Sequence, residues 1–275
     1  MASPSGKRWK PSPLIVASLV LHGAALLVLV LQWGAWPWVL GALIGNHLII
    51  SFMVLWPRSQ GIGSNRTRLP TNTHDQIAIT IDDGPDPMVT PQVLDLLDQH
   101  AAKATFFCIG ERARQHTELC KEIVRRGHAV ENHTQRHSPA FAFSGFDSHR
   151  RELQAAQATL TEITGRAPRF FRAPAGIRSP LLDPILHELQ LQLVSWTRRG
   201  YDTRIGDPAK VSRRLLPYVK AGAILLLHDG NSARTPAGAP VILEVLPVIL
   251  KTAAQRGLRC VTLAECLPSA HDARP

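Results

Sequence analysis

A single uncharged stretch limits this chain more than any other feature. From Pro11 to Pro57, 47 residues pass without one Asp, Glu, Lys or Arg. A helix or strand on a soluble surface needs polar positions on its wet face, whereas a segment apolar all round belongs in a core or in lipid. The run is too long for the apolar centre of a secretory leader, ~7–15 residues. It is about right for two membrane spans of ~20 residues joined by a turn. The first span is expected over 13–31 and the second over 39–56. Five of the six tryptophans fall in residues 1–56. Trp33, Trp36 and Trp38 sit at the turn, and Trp9 and Trp56 at the opposite ends, as two interfacial belts require. His22, Asn46 and His47 are the strongly polar groups inside the runs. They read as helix-to-helix hydrogen-bonding groups, although an intramembrane His is by default a functional candidate.

The first 74 residues hold six basic groups and no acidic one: Lys7, Arg8, Lys10, Arg58, Arg66 and Arg68. All flank the outer ends of the hairpin. By the positive-inside rule, both ends then lie in the cytoplasm of a multi-pass, bacterial-type inner membrane. A single long span, or a signal anchor with a re-entrant piece, would place the rest of the chain outside. The net charge of +10 is mostly this asymmetry, because the other 201 residues carry 25 basic and 21 acidic groups. No concentrated basic face is present, so no nucleic-acid partner is expected. Four cysteines without CxxC spacing make no disulfide scaffold, and Cys108 reads as a core residue.

Residues 58–74 are rich in Gly, Ser, Thr, Asn and Pro and read as a linker. The folded domain is expected over 75–268, with a tail at 269–275. Strand-like runs fall at 76–82, 103–109, 128–132, 169–172, 191–196, 223–228 and 259–262. Helical runs at 91–100, 112–126, 147–164, 180–189, 208–219 and 241–256 separate them. Alternation of this kind argues an α/β fold with a parallel sheet. About seven strands, with no GxGxxG after the first, favour a deformed (β/α) barrel, preceded by the two-helix hairpin.

The unusual polar clusters each follow a strand. Asp82 and Asp83 end the first, His133 to His137 follow the third, and Arg172 ends the fourth. Asp202 follows the fifth, and His228-Asp229 ends the sixth. In a barrel, strand C-termini share one rim, where active sites sit. Two adjacent carboxylates at the end of an apolar strand lose water and repel, which calls for a cation or a shared proton. The i, i+4 pair His133 and His137 puts two imidazoles on one face of a helical turn, a recurrent divalent-metal arrangement. Imidazole with carboxylate suits Zn²⁺, with Co²⁺, Ni²⁺ or Fe²⁺ as alternatives. His228, at the end of an apolar strand, reads as a positioned acid or base.

Four motifs then carry a resemblance. They are Thr80-Ile81-Asp82-Asp83-Gly84-Pro85, Asn132-His133-Thr134-Gln135-Arg136-His137, Arg172-Ala173-Pro174-Ala175-Gly176 and Leu226-Leu227-His228-Asp229. In this order the region from about 76 to 263 resembles the NodB-type polysaccharide deacetylases, carbohydrate esterase family 4. The resemblance implies a deformed (β/α) barrel and a metal-dependent amino-sugar N-deacetylase. It implies that Asp83, His133 and His137 hold the metal. Asp82 is then the general base toward a water at that metal, and His228 the general acid for the leaving amine. A backbone N–H near Ala175 joins the metal in holding the oxyanion, Arg172 orients Asp82, and Asp202 tunes His228. The sequence departs from the family at Ile81, where Phe is usual, at Ser138-Pro139, where His-Pro often stands, and in the fourth motif. That motif reads Arg199-Gly200-Tyr201-Asp202-Thr203 and lacks the Trp that walls the sugar pocket, leaving Tyr201 or Trp196 to replace it.

The expected activity is hydrolysis of an N-acyl amide on an amino sugar in a polysaccharide, peptidoglycan or glycolipid. A domain on the cytoplasmic side would meet a lipid-linked sugar instead of an exported polymer. A non-catalytic carbohydrate-binding or assembly protein with a structural metal is the reading from another class, and a cyclic-amide hydrolase a third.

Overall fold

The computed structural model describes residues 8–267; Lys7 and the tail at 269–275 lie outside them. Helix α1, Pro13–Leu31, starts at Ser12, whose hydroxyl accepts from the backbone N–H of Ile15, with Pro13 in the first turn. It ends in a tight turn at Trp33–Ala35. Helix α2, Trp36–Leu55, begins three residues before the expected 39, because Pro37 sits in the first turn, where its missing N–H has no partner to lose. Both helices are long and apolar enough to cross a membrane. Asn46 Nδ2 donates to Ser18 Oγ across the pair at 2.9 Å.

The remainder is an α/β barrel that curls without closing, the expected fold. Its strands are β1 (Gln76–Asp82), β2 (Ala104–Cys108), β3 (Ala129–Asn132), β4 (Phe170–Phe171), β5 (Gln192–Leu193), β6 (Arg198–Arg199), β7 (Ile224–His228) and β8 (Arg259–Cys260). They order as β5-β4-β3-β2-β1-β7-β6, all in parallel, with β8 beside the start of β1. Helices α3 (Thr90–Gln99), α4 (Gly110–Gln115), α5 (Thr117–Arg125), α6 (Phe146–Thr164), α7 (Leu182–Glu188), α8 (Pro208–Leu215), α9 (Val241–Gln255) and α10 (Leu263–Cys266) lie between and after the strands. Period-2 alternation divides β1. Ile77, Ile79 and Ile81 pack outward with Val93, Leu94, Leu97 and Leu246, whereas Ala78 joins Phe107, Phe170, Val194 and Ile224 in another cluster. Asp82 shares the face of Ala78 and Thr80. Its strand neighbours are Phe107 on β2 and His228 on β7.

Three local expectations are corrected. The run at 191–196 is not one strand: β5 ends at Leu193, and after a bend the chain re-enters the sheet as β6 against β7. The helix expected over 112–126 breaks into α4 and α5 at His116, whose backbone (φ −125°, ψ 51°) is not helical. Residues 58–74 do not hang as a free linker. The Arg66 N–H donates to the Leu193 carbonyl at 2.9 Å, the Ser195 N–H to the Arg66 carbonyl at 2.8 Å, and the Leu69 N–H to the Gly222 carbonyl at 2.9 Å. Ile62 and Leu69 are buried, each contributing about 1.5–3 kcal/mol. A polar composition that reads as a linker of mixed stiffness supplies backbone partners where β5 and β6 part.

Candidate active site

Strand β1 delivers both carboxylates, but in different directions. Asp82 is still extended and points with the inward set. Asp83 takes a left-handed backbone, φ 72°, which turns its side chain away from that direction. Gly84 follows because nothing larger fits: a Cβ there would stand 2.4 Å from Asp229 Oδ2.

Asp82 Oδ1 accepts from Arg172 Nη1 at 2.6 Å. The guanidinium also donates to Thr80 Oγ1, the Val194 carbonyl and the Ser195 carbonyl. It lies 4.1 Å from the Phe107 ring centroid and 5.8 Å from that of Trp196. Arg172 is fully buried, and burial draws it below its ordinary value while Asp82 opposes. A buried cation with this many partners holds a carboxylate in one orientation.

Asp83 Oδ1 stands 3.2 Å from His133 Nε2 and 3.2 Å from His137 Nε2. The expected helical turn at 133–137 is absent. It is a loop with positive φ at Thr134 (66°) and His137 (54°), held where Asn132 Oδ1 accepts from the Thr134 N–H. The short polar side chain stabilises the bend that the i, i+4 spacing was expected to obtain from a helix. His133 Nδ1 lies 2.8 Å from the Arg172 carbonyl. A carbonyl only accepts, so Nδ1 is the donor of this pair, which leaves Nε2 as the ring atom aimed at Asp83. Burial, then the nearby His133, draws His137 down to about 4 and keeps it neutral. Burial pushes Asp83 up, but hydrogen bonding and charge from His133, with His228 and His137 behind, hold it well below the usual carboxylate range. One ligand atom from each of the three residues lies within 4.8 Å of the others. A carboxylate and two imidazoles fit a divalent cation of the zinc class, and three protein ligands leave coordination positions open.

His228, at the end of β7, faces the same cleft. Asp202, fully buried, accepts at Oδ1 from its Nδ1 at 3.0 Å and at Oδ2 from its backbone N–H at 2.7 Å. Burial opposes the imidazolium, but the Asp202 charge and hydrogen bond, with Asp82 and Asp83 behind, push His228 up to about 9.

The cleft holds ≈ 330 Å³ and brings together Asp82, Asp83, His133, His137, Ala175, Trp196, Tyr201 and His228. Arg172 and Asp202 stand behind its wall. Ala175 has φ 54° in the short turn Pro174–Gly176, and Tyr201 has φ 64° with Arg199 stacked 4.0 Å from its ring centroid. Sequence reasoning missed Asn231 and Arg112, and placed Asp229 on the rim without giving it a role. Asn231 Nδ2 donates to Asp83 Oδ2 at 3.0 Å, and Arg112 Nη1 to the Asp83 carbonyl at 2.7 Å. Asp229, pushed by burial up to about 7, accepts from the Thr90 hydroxyl and packs under Gly84. Asp229 and Asn231 lie within three residues of His228, and that adjacency was the available signal. Arg112 had none.

A curled parallel barrel with these groups at its strand ends defines a hydrolase of the carbohydrate esterase 4 class. The sequence model of the family described as polysaccharide deacetylase matches residues 70–194. A peptidoglycan-N-acetylglucosamine deacetylase of Bacillus cereus is 34% identical over 202 residues, 73% of this chain and 92% of that protein. A chitooligosaccharide deacetylase of Azorhizobium caulinodans is 35% identical over 161 residues, 58% of this chain and 76% of its own. The crystal structure of a peptidoglycan N-acetylglucosamine deacetylase superposes with TM-score 0.67 at 28% identity, covering 74% of this chain and 92% of the other. The chain belongs to the polysaccharide deacetylase family.

Proposed function

We propose that this chain is a membrane-anchored N-deacetylase of N-acetylglucosamine-type sugars that depends on a divalent metal, zinc foremost. One observation carries the reading: a carboxylate oriented by a buried arginine, a carboxylate–imidazole–imidazole set and an imidazolium backed by a carboxylate converge on one cleft.

Asp82 accepts a proton from the attacking water, whose oxygen adds to the acetamide carbonyl carbon. As the C–N bond breaks, His228 delivers its proton to the nitrogen, leaving acetate and a free amine. Each positioned proton transfer accounts for roughly 10²–10⁴-fold in rate. Asp83, His133 Nε2 and His137 Nε2 hold the metal, which supplies Lewis-acid polarisation when bound. Ala175 offers its backbone N–H to the oxyanion, and Trp196 and Tyr201 wall the sugar. Helices α1 and α2 anchor the barrel, and the basic residues at their outer ends favour the cytoplasmic side.

The test is acetate release by the full chain in detergent. After chelation it is supplied with zinc and N-acetylglucosamine oligomers. Zinc-restored acetate that disappears in Asp82→Asn and His228→Ala supports the reading. Stoichiometric zinc binding without acetate, from these oligomers and from a lipid-borne N-acetylglucosaminide alike, refutes it.

A further inference from the structure

The foot of the hairpin is built into the wall of the cleft. The Val54 carbonyl, in the last turn of α2, accepts from the Arg178 backbone N–H at 3.4 Å. The Pro57 carbonyl accepts from Ser195 Oγ at 2.6 Å and from Asn65 Nδ2 at 2.9 Å. Arg58 Nη1 donates to the Thr197 carbonyl at 3.1 Å, and the buried Arg178 donates through Nη2 to the Ser59 carbonyl at 2.8 Å. At the other foot, Trp9 Nε1 donates to Asp183 Oδ2 at 2.8 Å. Arg178 and Asp183 follow β4 and Ser195 follows β5, on the side of the catalytic rim, whereas Thr197 stands just before β6, beside Ile224 at the start of β7. Gly176 (φ 76°) has no room for a side chain: a Cβ would stand 2.7 Å from Pro57 Cβ and 2.5 Å from the Trp196 ring. Gly176 and Trp196 both line the cleft.

A second observation is independent of the foot. Among the described residues outside 9–56, four large apolar side chains are exposed: Met88 (72%), Phe143 (81%), Leu181 (43%) and Val248 (40%). The first three lie on the segments that leave the C-terminal ends of β1, β3 and β4. Single exposed apolar side chains are ordinary on a soluble surface. Three stand on segments that leave the strand C-termini, as do Arg178 and Ser195, to which the foot of the two long apolar helices is fastened. Arg199 and Arg204 line the cleft on the same rim, with the charge sign that anionic headgroups attract.

We propose that the catalytic rim lies against the bilayer surface and that the site takes an amino sugar carried on a membrane lipid, not a strand of free polymer. The proposal rests on the N-deacetylase reading above. A tether of free chain would let the barrel roam. The hydrogen-bonded foot fixes the cleft at headgroup height, where a lipid-borne sugar is confined with it. Met88, Phe143 and Leu181 enter the interface around the mouth.

The experiment uses the full chain in vesicles of phosphatidylcholine and phosphatidylglycerol, with two probes. One is a water-soluble N-acetylglucosamine oligomer; the other is a long-chain alkyl N-acetylglucosaminide embedded in the same vesicles. The expected kcat/KM is at least ~10-fold higher for the embedded probe, the gain from confining both reactants to one surface. The combined variant Met88→Ser, Phe143→Ser, Leu181→Ser should lose that advantage and keep its rate on the soluble oligomer, which also shows that it folds. Equal kcat/KM for the two probes, or a variant that keeps the advantage, overturns the proposal. Acetate from neither probe overturns the deacetylase reading itself. A nitroxide at Phe143→Cys, in a chain carrying Cys260→Ser and Cys266→Ser, then reads the face alone. Exposure to a lipid-soluble relaxant supports a membrane-facing rim, and exposure to a water-soluble one overturns it.

Discussion

Two neighbouring strands, β1 and β7, bring the same pair of charges to the cleft in opposite order. On β1 a carboxylate, Asp82, faces the cleft, and a buried cation, Arg172, stands behind it. On β7 a cation, His228, faces the cleft, and a buried carboxylate, Asp202, stands behind it. The hidden partner determines what the visible group does. Arginine holds the proton-accepting carboxylate in one orientation. Aspartate favours the protonated, proton-donating imidazolium. A base and an acid therefore coexist a few ångströms apart at one pH, each stabilised by a group that takes no part in the transfer.

The sharpest way to break this symmetry is to remove a visible member. Asp82→Asn keeps the shape and the Arg172 contact but cannot accept the proton. Its kcat should fall by ~10³-fold, within the range for a lost general base. Zinc uptake measured by calorimetry should be retained, and loss of both would place Asp82 among the ligands instead.

Removing the hidden cation comes next. Arg172→Met leaves Asp82 buried without a counter-charge, which costs about 3–5 kcal/mol of stability. A denaturant titration checks it. Arg172→Lys should not rescue, because one ammonium cannot reach Asp82, Thr80 and the carbonyls of Val194 and Ser195 together. A variant as stable as wild type would show that Asp82 is neutral in the folded protein.

Removing the hidden anion should move a pH limb more than a rate. His228 sits up at about 9, so its acid form persists at neutral pH and activity falls only as pH rises through that value. Asp202→Asn removes the strongest favourable charge. The alkaline limb of kcat should then shift to lower pH, toward the ordinary His range near ~6.5. An unmoved limb would assign it to another group. The smallest effect belongs to Asn231→Ala, which frees Asp83 Oδ2; zinc affinity should fall by ~10-fold, at the low end for an outer partner of a ligand. Unchanged affinity would leave Asn231 with packing alone.

Much of the fold was legible because the signals are local. Alternation within β1, the apolar ends of β2 and β7 and the helix stop at Gly165 are set by neighbours a few residues away. The strand-end motifs were legible for the same reason, since a barrel brings every strand end to one rim. Less legible was anything closed by distant chain. The bend that splits β5 from β6 depends on the strap at 66–69, some 125 residues earlier in sequence. The imidazoles converge through left-handed residues at 134 and 137, where spacing alone suggested a helix.

By itself the sequence determined the uncharged double run, the alternation that makes a parallel barrel, and the identities of Asp82, Asp83, His133, His137 and His228. Composition and periodicity act through solvent and backbone, which every stretch of chain meets in the same way. Tertiary structure alone decided what stands behind each of those groups. Arg172 meets Asp82 across 90 residues, Asn231 meets Asp83 across 148, and Pro57 meets Ser195 across 138. Those contacts exist only once the barrel has closed enough for buried charges to find partners, and no local pattern records that requirement.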